Sequence, residues 1–161
     1  MPIIFTRIDD RLIHGQVVEG WIPFLSVSEV VVVSDAIVAD DMRKTLMRLS
    51  LPEEIELHIA GAEEAAAYLK SIRQDSKRIL ILAASPKEIV NLIEKGLALE
   101  SVNVGGMHYS IGKMQIGRAI FLDDADKNSL RRIVEHGVRL EGRGVPTDTS
   151  INIAEMLDSQ V

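Results

Sequence analysis

Hydrophobic residues along this 161-residue chain follow two alternating patterns. Short runs of valine, isoleucine and leucine alternate with longer stretches in which apolar positions return every three or four residues. The short runs are typical of strands buried on both faces of a parallel sheet, and the longer stretches are typical of helices that cover such a sheet. The alternation therefore predicts an α/β fold: a three-layer open sheet of mostly parallel strands with helices on both faces.

The apolar runs predict six strands, and the amphipathic stretches predict six helices. The strands are expected at residues 3–8, 29–34, 55–60, 78–83, 101–104 and 138–140. The helices are expected at residues 16–25, 40–51, 63–73, 86–96, 123–136 and 150–157. Pro86 suits a first helical turn and Gly137 suits a helix end, which supports two of these boundaries. Residues 114–122 fit neither pattern and are expected to be irregular or extended.

Composition and charge narrow the class of protein. The chain is 47% hydrophobic and 26% charged, which is typical of a globular protein, and its length predicts a single domain over residues 1–161. Its net charge of −6 argues against nucleic acid as a partner, because binding a phosphate backbone requires a basic surface. The sequence contains no cysteine, which excludes thiolate chemistry. We expect a cytoplasmic protein, since the first residues predict a strand rather than a signal peptide and no apolar run approaches a membrane span.

The residues between the first predicted strand and the first predicted helix carry the most distinctive chemistry. The stretch Arg7-Ile8-Asp9-Asp10-Arg11-Leu12-Ile13-His14-Gly15-Gln16 places one histidine, two arginines and two carboxylates in one short turn. In open α/β sheets ligands bind at the carboxyl ends of the strands, and the start of a helix there offers free N–H groups to an anion. A histidine beside an arginine at this place indicates a nucleophile directed at a phosphoryl group.

Donors for a phosphoryl group are available around this histidine. The neutral ring of His14 would attack phosphorus, and Arg11 would donate hydrogen bonds to the phosphate oxygens. Backbone N–H groups of Ile13, Gly15 and Gln16 would form an anion-binding nest. Gly15 also allows a ligand to approach the backbone closely, because it lacks a Cβ atom.

The two carboxylates have the wrong charge to face a phosphate. Asp9 and Asp10 are therefore expected to orient Arg7 or Arg11, or to accept a hydrogen bond from the histidine ring. The residues alone also leave open a plain alternative, in which His14 is an ordinary loop histidine and the charges form a solvated turn.

The remaining histidines point to other positions in the fold. His136 precedes Gly137 at a predicted helix end, where a cation offsets the helix dipole. His58 lies inside a strand and is expected to be a core or sheet-face residue. His108 follows a strand end, and a surface loop is the expected setting, although approach to the site is open. The histidine spacing resembles no metal site, and no glycine-rich nucleotide motif is present, so phosphate chemistry here points to a phosphoprotein donor.

The motif around His14, with Val17 and Gly20-Trp21, resembles the IIB component of the mannose/fructose/sorbose family of the bacterial phosphoenolpyruvate-dependent sugar phosphotransferase system. The resemblance extends through most of the chain. It includes Asn103-Val104-Gly105-Gly106-Met107, Gly112-Lys113-Met114-Gln115-Ile116 and Val145-Pro146-Thr147-Asp148. Because the first motif is long and specific, the chain is identified as a member of this family.

This resemblance implies a fold of mostly parallel strands and an activity. His14 would take a phosphoryl group from a histidine of the IIA protein and pass it to a hexose, as a protein-Nπ-phosphohistidine–sugar phosphotransferase. The hexose would enter through the membrane subunits IIC and IID, which would hold the chain at the inner face of the membrane. Arg11 matches the arginine near the phosphoryl group, and Gly105, Gly106 and Met107 match a loop near that site. No metal, nucleotide or other cofactor is implied.

One loop departs from the family pattern. The second strand ends in Ser34-Asp35, where an Asn-Asp pair is common, and this loop is expected to neighbour His14. The change motivates an alternative function, a regulatory phosphohistidine protein that signals to a partner without sugar transport. A third hypothesis is a binding module without chemistry, for which replacing His14 would leave every activity intact. Phosphorylation on either ring nitrogen is compatible with the sequence.

Overall fold

Seven strands form the central sheet in a computed structural model of the chain, which describes residues 2–72 and 76–159. The strands in these ranges are β1 (Ile3–Asp9), β2 (Glu29–Val33), β3 (Glu56–Ala60), β4 (Ile79–Ala83), β5 (Ser101–Gly106), β6 (Met114–Gly117), β7 (Ile120–Leu122), β8 (Arg139–Gly142) and β9 (Ile151–Asn152). The sheet order is β3-β2-β4-β1-β5-β8-β9, and every pair is parallel except β8 with β9. The predicted fold class is confirmed.

Helices cover both faces of this sheet. A π-helical segment (Gln16–Trp21) continues directly into α1 (Ile22–Leu25). The other helices are α2 (Asp35–Val38), α3 (Asp41–Ser50), α4 (Ala62–Ser71), α5 (Pro86–Glu94), α6 (Asp124–Glu135) and α7 (Ile153–Asp158). No helix of the described residues has the length and apolar character needed to cross a membrane.

Side chains of the strands alternate between two hydrophobic clusters. In β2, Val31 and Val33 belong to the larger cluster, whereas Val30 and Val32 belong to the smaller one. Buried residues of α4, α5, α6 and α7 complete the larger cluster, and buried residues of the π-helical segment, α1, α2 and α3 complete the smaller. The unbroken apolar run of β2 is therefore explained by burial on both faces.

Short elements account for most differences from the predicted secondary structure. Helix α2 was not predicted, because four residues are too few to show a helical period. The segment 114–122, expected to be irregular or extended, forms the antiparallel β6–β7 hairpin. Residues 151–152 pair with β8 instead of starting a helix at residue 150, and the helix begins at residue 153. Residue 73, at the end of the third predicted helix, lies outside the described residues.

The helix predicted at residues 16–25 is divided in two. Its first part is π-helical and ends at Trp21, two residues before Pro23. Proline has no N–H group to continue a helical hydrogen-bond ladder, but it is tolerated in a first turn. The helix therefore changes type at Ile22, and Pro23 lies in the first turn of the α-helix that begins there.

Strand β1 lies in the middle of the sheet, paired with β4 on one side and β5 on the other. Its last residue, Asp9, pairs with Gly106 of β5. The turn that follows β1 is consequently at the centre of the carboxyl edge of the sheet, the usual place for a ligand site in this kind of fold.

Candidate functional site

The turn after β1 brings His14 back to the end of its own strand. The backbone carbonyl of Asp9 accepts a hydrogen bond from the N–H of Leu12 at 2.9 Å. Leu12 has a φ of 57°, in the left-handed region that is costly for a residue other than glycine. Its side chain is 1% exposed and packs in the smaller hydrophobic cluster. Burial of Leu12 therefore holds a strained turn in place.

Asp9 is the centre of the hydrogen-bond network in this turn. Its Oδ2 lies 2.8 Å from Nε2 of His14 and accepts from Nη2 of Arg7 at 2.9 Å, and its Oδ1 accepts from the N–H of Arg11 at 3.0 Å. Burial by itself would raise the pKa of Asp9, but the hydrogen bond from His14, helped by Arg11 and Arg7, holds that pKa below its ordinary value of 3.8. Asp9 is thus an ionised acceptor, and Nε2 of His14 carries the proton that it accepts.

The other ring nitrogen of His14, Nδ1, has no hydrogen-bond partner among the residues that the structure describes. In a neutral ring that is protonated on Nε2, the lone pair lies on Nδ1. The side chain is 15% exposed. The geometry therefore leaves Nδ1 as the ring nitrogen with a free lone pair.

Free backbone donors adjoin the ring. Within the described part of the chain, no backbone or side-chain atom accepts a hydrogen bond from the N–H groups of Ile13, His14, Gly15 and Gln16. These groups lie at the start of the π-helical segment, which Gly15 caps, and free N–H groups at a helix start favour an anion. A Cβ atom on Gly15 would have no heavy atom within 4 Å, so space is open beside this part of the turn.

Arg7 is a fully buried cation that connects the turn to neighbouring strands. Its Nη1 donates to Oδ1 of Asn103 at 2.7 Å and to the backbone carbonyl of Arg143 at 3.0 Å, while its Nη2 donates to Asp9. Burial lowers the pKa of Arg7, and the adjacent charge of Asp9 opposes that shift. Arg7 is therefore a structural partner of Asp9 and is not itself in reach of a ligand.

Gln16 joins this buried arginine to an exposed one. Its Oε1 accepts from Nη2 of Arg7 at 3.1 Å and from Nη2 of Arg11 at 3.2 Å. The side chain of Arg11 is 44% exposed, and its Nε lies 3.7 Å from Oδ1 of Asp9. Arg11 is thus held at the edge of the turn and still has N–H groups available to a ligand.

Residues distant in the sequence support the network from the side of β5 and β8. Glu141 accepts from Nε of Arg143 at 2.8 Å and from Nδ2 of Asn103 at 3.0 Å. Nε1 of Trp21 donates to the carbonyl of Gly144 at 3.0 Å, and the guanidinium of Arg143 lies 5.0 Å from the centre of the Trp21 ring. Sequence reasoning assigned no site function to these residues. Asn103 was the available signal, because it is a polar residue inside a buried apolar strand and a buried polar group needs a hydrogen-bond partner.

The glycines at the end of β5 make room for this network. A Cβ atom on Gly105 would lie 2.0 Å from Cζ of Arg7, so a larger residue at this position would displace the guanidinium. The carbonyl of Gly106 accepts from the N–H of Asp10 at 3.0 Å, and Met107 is buried beside Ile120. These residues, predicted as a loop near the site, support the turn from the adjacent strand.

Asp10 and His108 form a pair that sequence analysis did not anticipate. Oδ2 of Asp10 accepts from the N–H of His108 at 2.7 Å, and Oδ1 of Asp10 lies 2.5 Å from Nδ1 of His108. His108 is exposed, as expected for a surface loop, and it also contacts the histidine turn. Among the described residues, Asp10 therefore binds neither arginine of the turn nor the His14 ring, contrary to expectation, and links the turn to the segment after β5.

Among the described residues, Ser34 and Asp35 make no hydrogen bond or ion pair with His14, and the expectation that their loop neighbours His14 stays a prediction. Strand β4 lies between β2 and β1, so the loop after β2 is separated from the turn after β1 by the end of another strand. Ser34 instead caps α2 by accepting from the N–H of Ile37 at 3.2 Å.

The remaining histidines lie outside this network. His58 stacks on Tyr68 with ring centres 4.2 Å apart, and His136 is exposed at the end of α6. In residues 2–72 and 76–159, no three or more histidine, aspartate or glutamate residues are grouped so as to hold a metal ion.

Protonation of the site carboxylates is expected to destabilise the fold. The folded-state pKa values of Asp9 and Glu141 lie below their ordinary values of 3.8 and 4.5, so each ionised carboxylate stabilises the native state above its ordinary pKa. That stabilisation is lost as the pH falls through the lower folded-state pKa. Urea unfolding should show a decreasing free energy of unfolding below about pH 4.5.

Glu141→Gln should flatten this decrease, whereas Glu53→Gln, at an exposed position outside the site, should leave it unchanged. An identical pH dependence in Glu141→Gln and the unmodified protein would contradict the contribution assigned to this carboxylate.

Comparison with known proteins identifies the family. The family model described as "PTS system sorbose subfamily IIB component", where PTS denotes the phosphotransferase system, matches residues 3–161. The chain belongs to this family. IIB components are phosphotransferases of sugar transport systems, and the site described above is at the position of the family motif that the sequence resembles.

Relatives with different sugars in their names are similarly distant from this IIB component. It is 35% identical to the sorbose-specific EIIB component of Lacticaseibacillus casei, over 98% of this chain and 96% of that protein. It is 34% identical to the fructose-specific EIIB component of Bacillus subtilis (strain 168), with the same coverage of 98% and 96%. It is also 34% identical to the mannose-specific EIIAB component of Escherichia coli (strain K12), over 98% of this chain but 49% of that longer protein.

A solved structure shows the same fold. The IIBSor domain of the sorbose permease from Klebsiella pneumoniae superposes with a TM-score of 0.92 at 30% identity, over 100% of this chain and 99% of that one.

Proposed function

We propose that this IIB component accepts a phosphoryl group on Nδ1 of His14 from a phosphohistidine of a IIA protein and passes it to a hexose. The observation that supports this most strongly is the 2.8 Å contact between Nε2 of His14 and the buried carboxylate of Asp9, because it leaves the lone pair on Nδ1. Relatives named for sorbose, fructose and mannose support a hexose as the final acceptor.

Transfer to His14 is a displacement at phosphorus. The lone pair of Nδ1 forms the new N–P bond while the bond from phosphorus to the donor histidine breaks, and the donor nitrogen keeps that electron pair. The His14 ring gains positive charge as the bond forms. The proton stays on Nε2, where the ionised Asp9 stabilises the developing charge and fixes the ring orientation.

Release to the sugar is the same displacement in the opposite direction. The oxygen of a hexose hydroxyl forms a bond to phosphorus, the N–P bond breaks, and the electron pair returns to Nδ1 of His14. The hydroxyl loses its proton to water in this step, and the ring returns to its neutral form. Because both steps use one nitrogen, donor and acceptor must approach His14 in turn.

Donors beside the ring receive the charge on the transferring group. The free N–H groups of residues 13–16 and the exposed side chain of Arg11 are suited to the phosphoryl oxygens. Removal of one aimed donor typically costs about 3 kcal/mol of transition-state stabilisation. Gln16 contributes indirectly, because its Oε1 holds Arg11 against the turn.

Arg11→Ala is expected to slow phosphoryl transfer about a hundredfold without unfolding the domain, because it removes a donor and no core packing. Gln16→Met, which removes the acceptor at similar length, should slow transfer less. The double variant should be no slower than Arg11→Ala alone, since Gln16 acts through Arg11. Single-turnover transfer rates from phosphorylated IIA provide this double-mutant cycle.

Arg43→Ala, which changes an exposed arginine of α3, is the matched control and should transfer at the unmodified rate. Additive losses in the double variant would show that Gln16 acts independently of Arg11.

The complete pathway places this component in the cytoplasm, between IIA and the membrane subunits IIC and IID. Vesicles that contain IIC and IID test it directly: with phosphorylated IIA and hexose supplied, sugar phosphate should form when this chain is present and should not form without it. Phosphorylation of the chain without any sugar phosphate would instead favour a regulatory phosphoprotein.

A further inference from the structure

Three large apolar side chains are exposed in the short segment that follows β5. Tyr109 is 64% exposed, Ile111 97% and Met114 60%. Arg118, in the turn of the β6–β7 hairpin, is exposed as well. We name Tyr109, Ile111, Met114 and Arg118 the hairpin platform. Packing within the fold does not explain these side chains, because most of their surface contacts nothing.

The platform rests on an ordered support. Met107 forms backbone hydrogen bonds with Ala119 at 3.0 Å and Phe121 at 2.8 Å, which fix the hairpin to the end of β5. The ring of Tyr109 meets that of Phe121 edge to face, with centres 5.8 Å apart. A surface whose backbone is already ordered loses little conformational entropy when it binds a partner.

Asp10 and His108 place this platform next to the phosphoryl-transfer site. Asp10 belongs to the same turn as His14 and binds both the N–H and the ring of His108. Tyr109 is the next residue, so the platform begins where the histidine turn is attached. A partner whose own histidine reaches His14 must cover the surface around it, because a protein interface of standard size buries about 800 Å² on each side.

We infer that the hairpin platform is a docking surface for the protein that donates the phosphoryl group, an inference that rests on the proposed function. The exposed apolar side chains of the platform complement an apolar patch on the donor protein. Arg118 and the exposed Arg11 are cations on a chain whose net charge is −6, so carboxylates at the rim of that patch complement them.

The size of the platform favours the donor over the membrane subunits. A donor that arrives, transfers and leaves needs a small mixed interface, whereas a lasting association uses a larger and more apolar one. Three exposed apolar side chains together with the exposed Arg118 and Arg11 fit the first kind. Helix α3 carries a separate exposed apolar stripe of Met42, Leu46 and Leu49, and it supplies a matched control.

The test compares two double variants with the unmodified protein. Ile111→Ser with Met114→Ser changes the platform, and Met42→Ser with Leu49→Ser changes the α3 stripe. Initial rates are measured against the concentration of phosphorylated IIA from the same organism. The platform variant should raise the apparent KM about tenfold while kcat and Tm stay the same, because the lost contacts form only on docking. The α3 variant should leave KM unchanged.

A charge reversal tests the cationic part. Arg118→Glu should also raise KM at low salt, and the difference from the unmodified protein should shrink as salt screens the charges. A salt-independent difference, or none, would overturn the charge complementarity.

The outcomes separate the inference from the proposed function. If the unmodified protein accepts the phosphoryl group and the platform variant has the same KM, the inference alone is overturned. If the unmodified protein accepts no phosphoryl group, the proposed function is overturned. If the platform variant accepts the phosphoryl group from IIA normally but phosphorylates sugar more slowly in vesicles, the platform binds the membrane subunits. This result would also overturn the inference.

Discussion

Replacing His14 with alanine is expected to abolish phosphoryl acceptance while the domain stays folded. Nδ1 of His14 forms the bond to phosphorus in our account, and the neighbouring Asp9 is turned into the fold, where it binds Nε2 of the ring and Arg7. The variant loses one charge-assisted hydrogen bond, so its free energy of unfolding should fall by about 1.5–3 kcal/mol. Intact mass spectrometry at neutral pH, after incubation with phosphorylated IIA, measures the acceptance.

His136→Ala is the control for this experiment. His136 is exposed at the end of α6, where its loss should reduce stability by at most about 2 kcal/mol and leave phosphoryl acceptance intact. Phosphorylation that persists in His14→Ala, or that disappears in His136→Ala, would show that the acceptor lies elsewhere.

Replacing Arg7 with methionine is expected to have the largest effect on stability. The side chain is fully buried, and its loss would remove one donor each from the carboxylate of Asp9, Oδ1 of Asn103 and the carbonyl of Arg143. Removing one partner of a buried ion pair typically costs about 3–5 kcal/mol. Chemical denaturation should show a loss of this size, and transfer should slow because Asp9 loses a partner that positions it against the His14 ring.

Arg7→Lys should recover only part of the loss, since one ammonium group cannot replace a guanidinium that donates to four acceptors. Arg43→Met, at an exposed position, is the matched control and should change stability little. A loss below about 1 kcal/mol in Arg7→Met would contradict the buried network as a source of stability.

The hydrophobic pattern was sufficient to predict the sheet and the long helices. Strand β2 could be recognised from four consecutive valines because a strand buried on both faces has no polar alternation. Elements of two to four residues, such as β9 and α2, leave too short a pattern, and their formation depends on neighbours that the fold supplies. The prediction of a single domain over residues 1–161 stays a prediction.

The candidate site was predictable where it is local in sequence. Asp9, Arg11, His14 and Gln16 lie in one motif, and the structure brings them into one network. Their long-range support was not predictable, because Asn103 meets Arg7 across 96 residues. Strand order was not predictable either, because β4 pairs between β2 and β1, and the expected closeness of Ser34-Asp35 to His14 stays a prediction.

¹⁵N NMR of the histidine rings in the phosphorylated protein distinguishes phosphorylation on Nδ1 of His14 from phosphorylation on any other atom. We expect phosphorus bonded to Nδ1 of His14, with a proton retained on Nε2 and held by Asp9. A phosphoryl group on Nε2 of His14, or on any other residue, would contradict this expectation, because Asp9 would then be a partner of the wrong nitrogen.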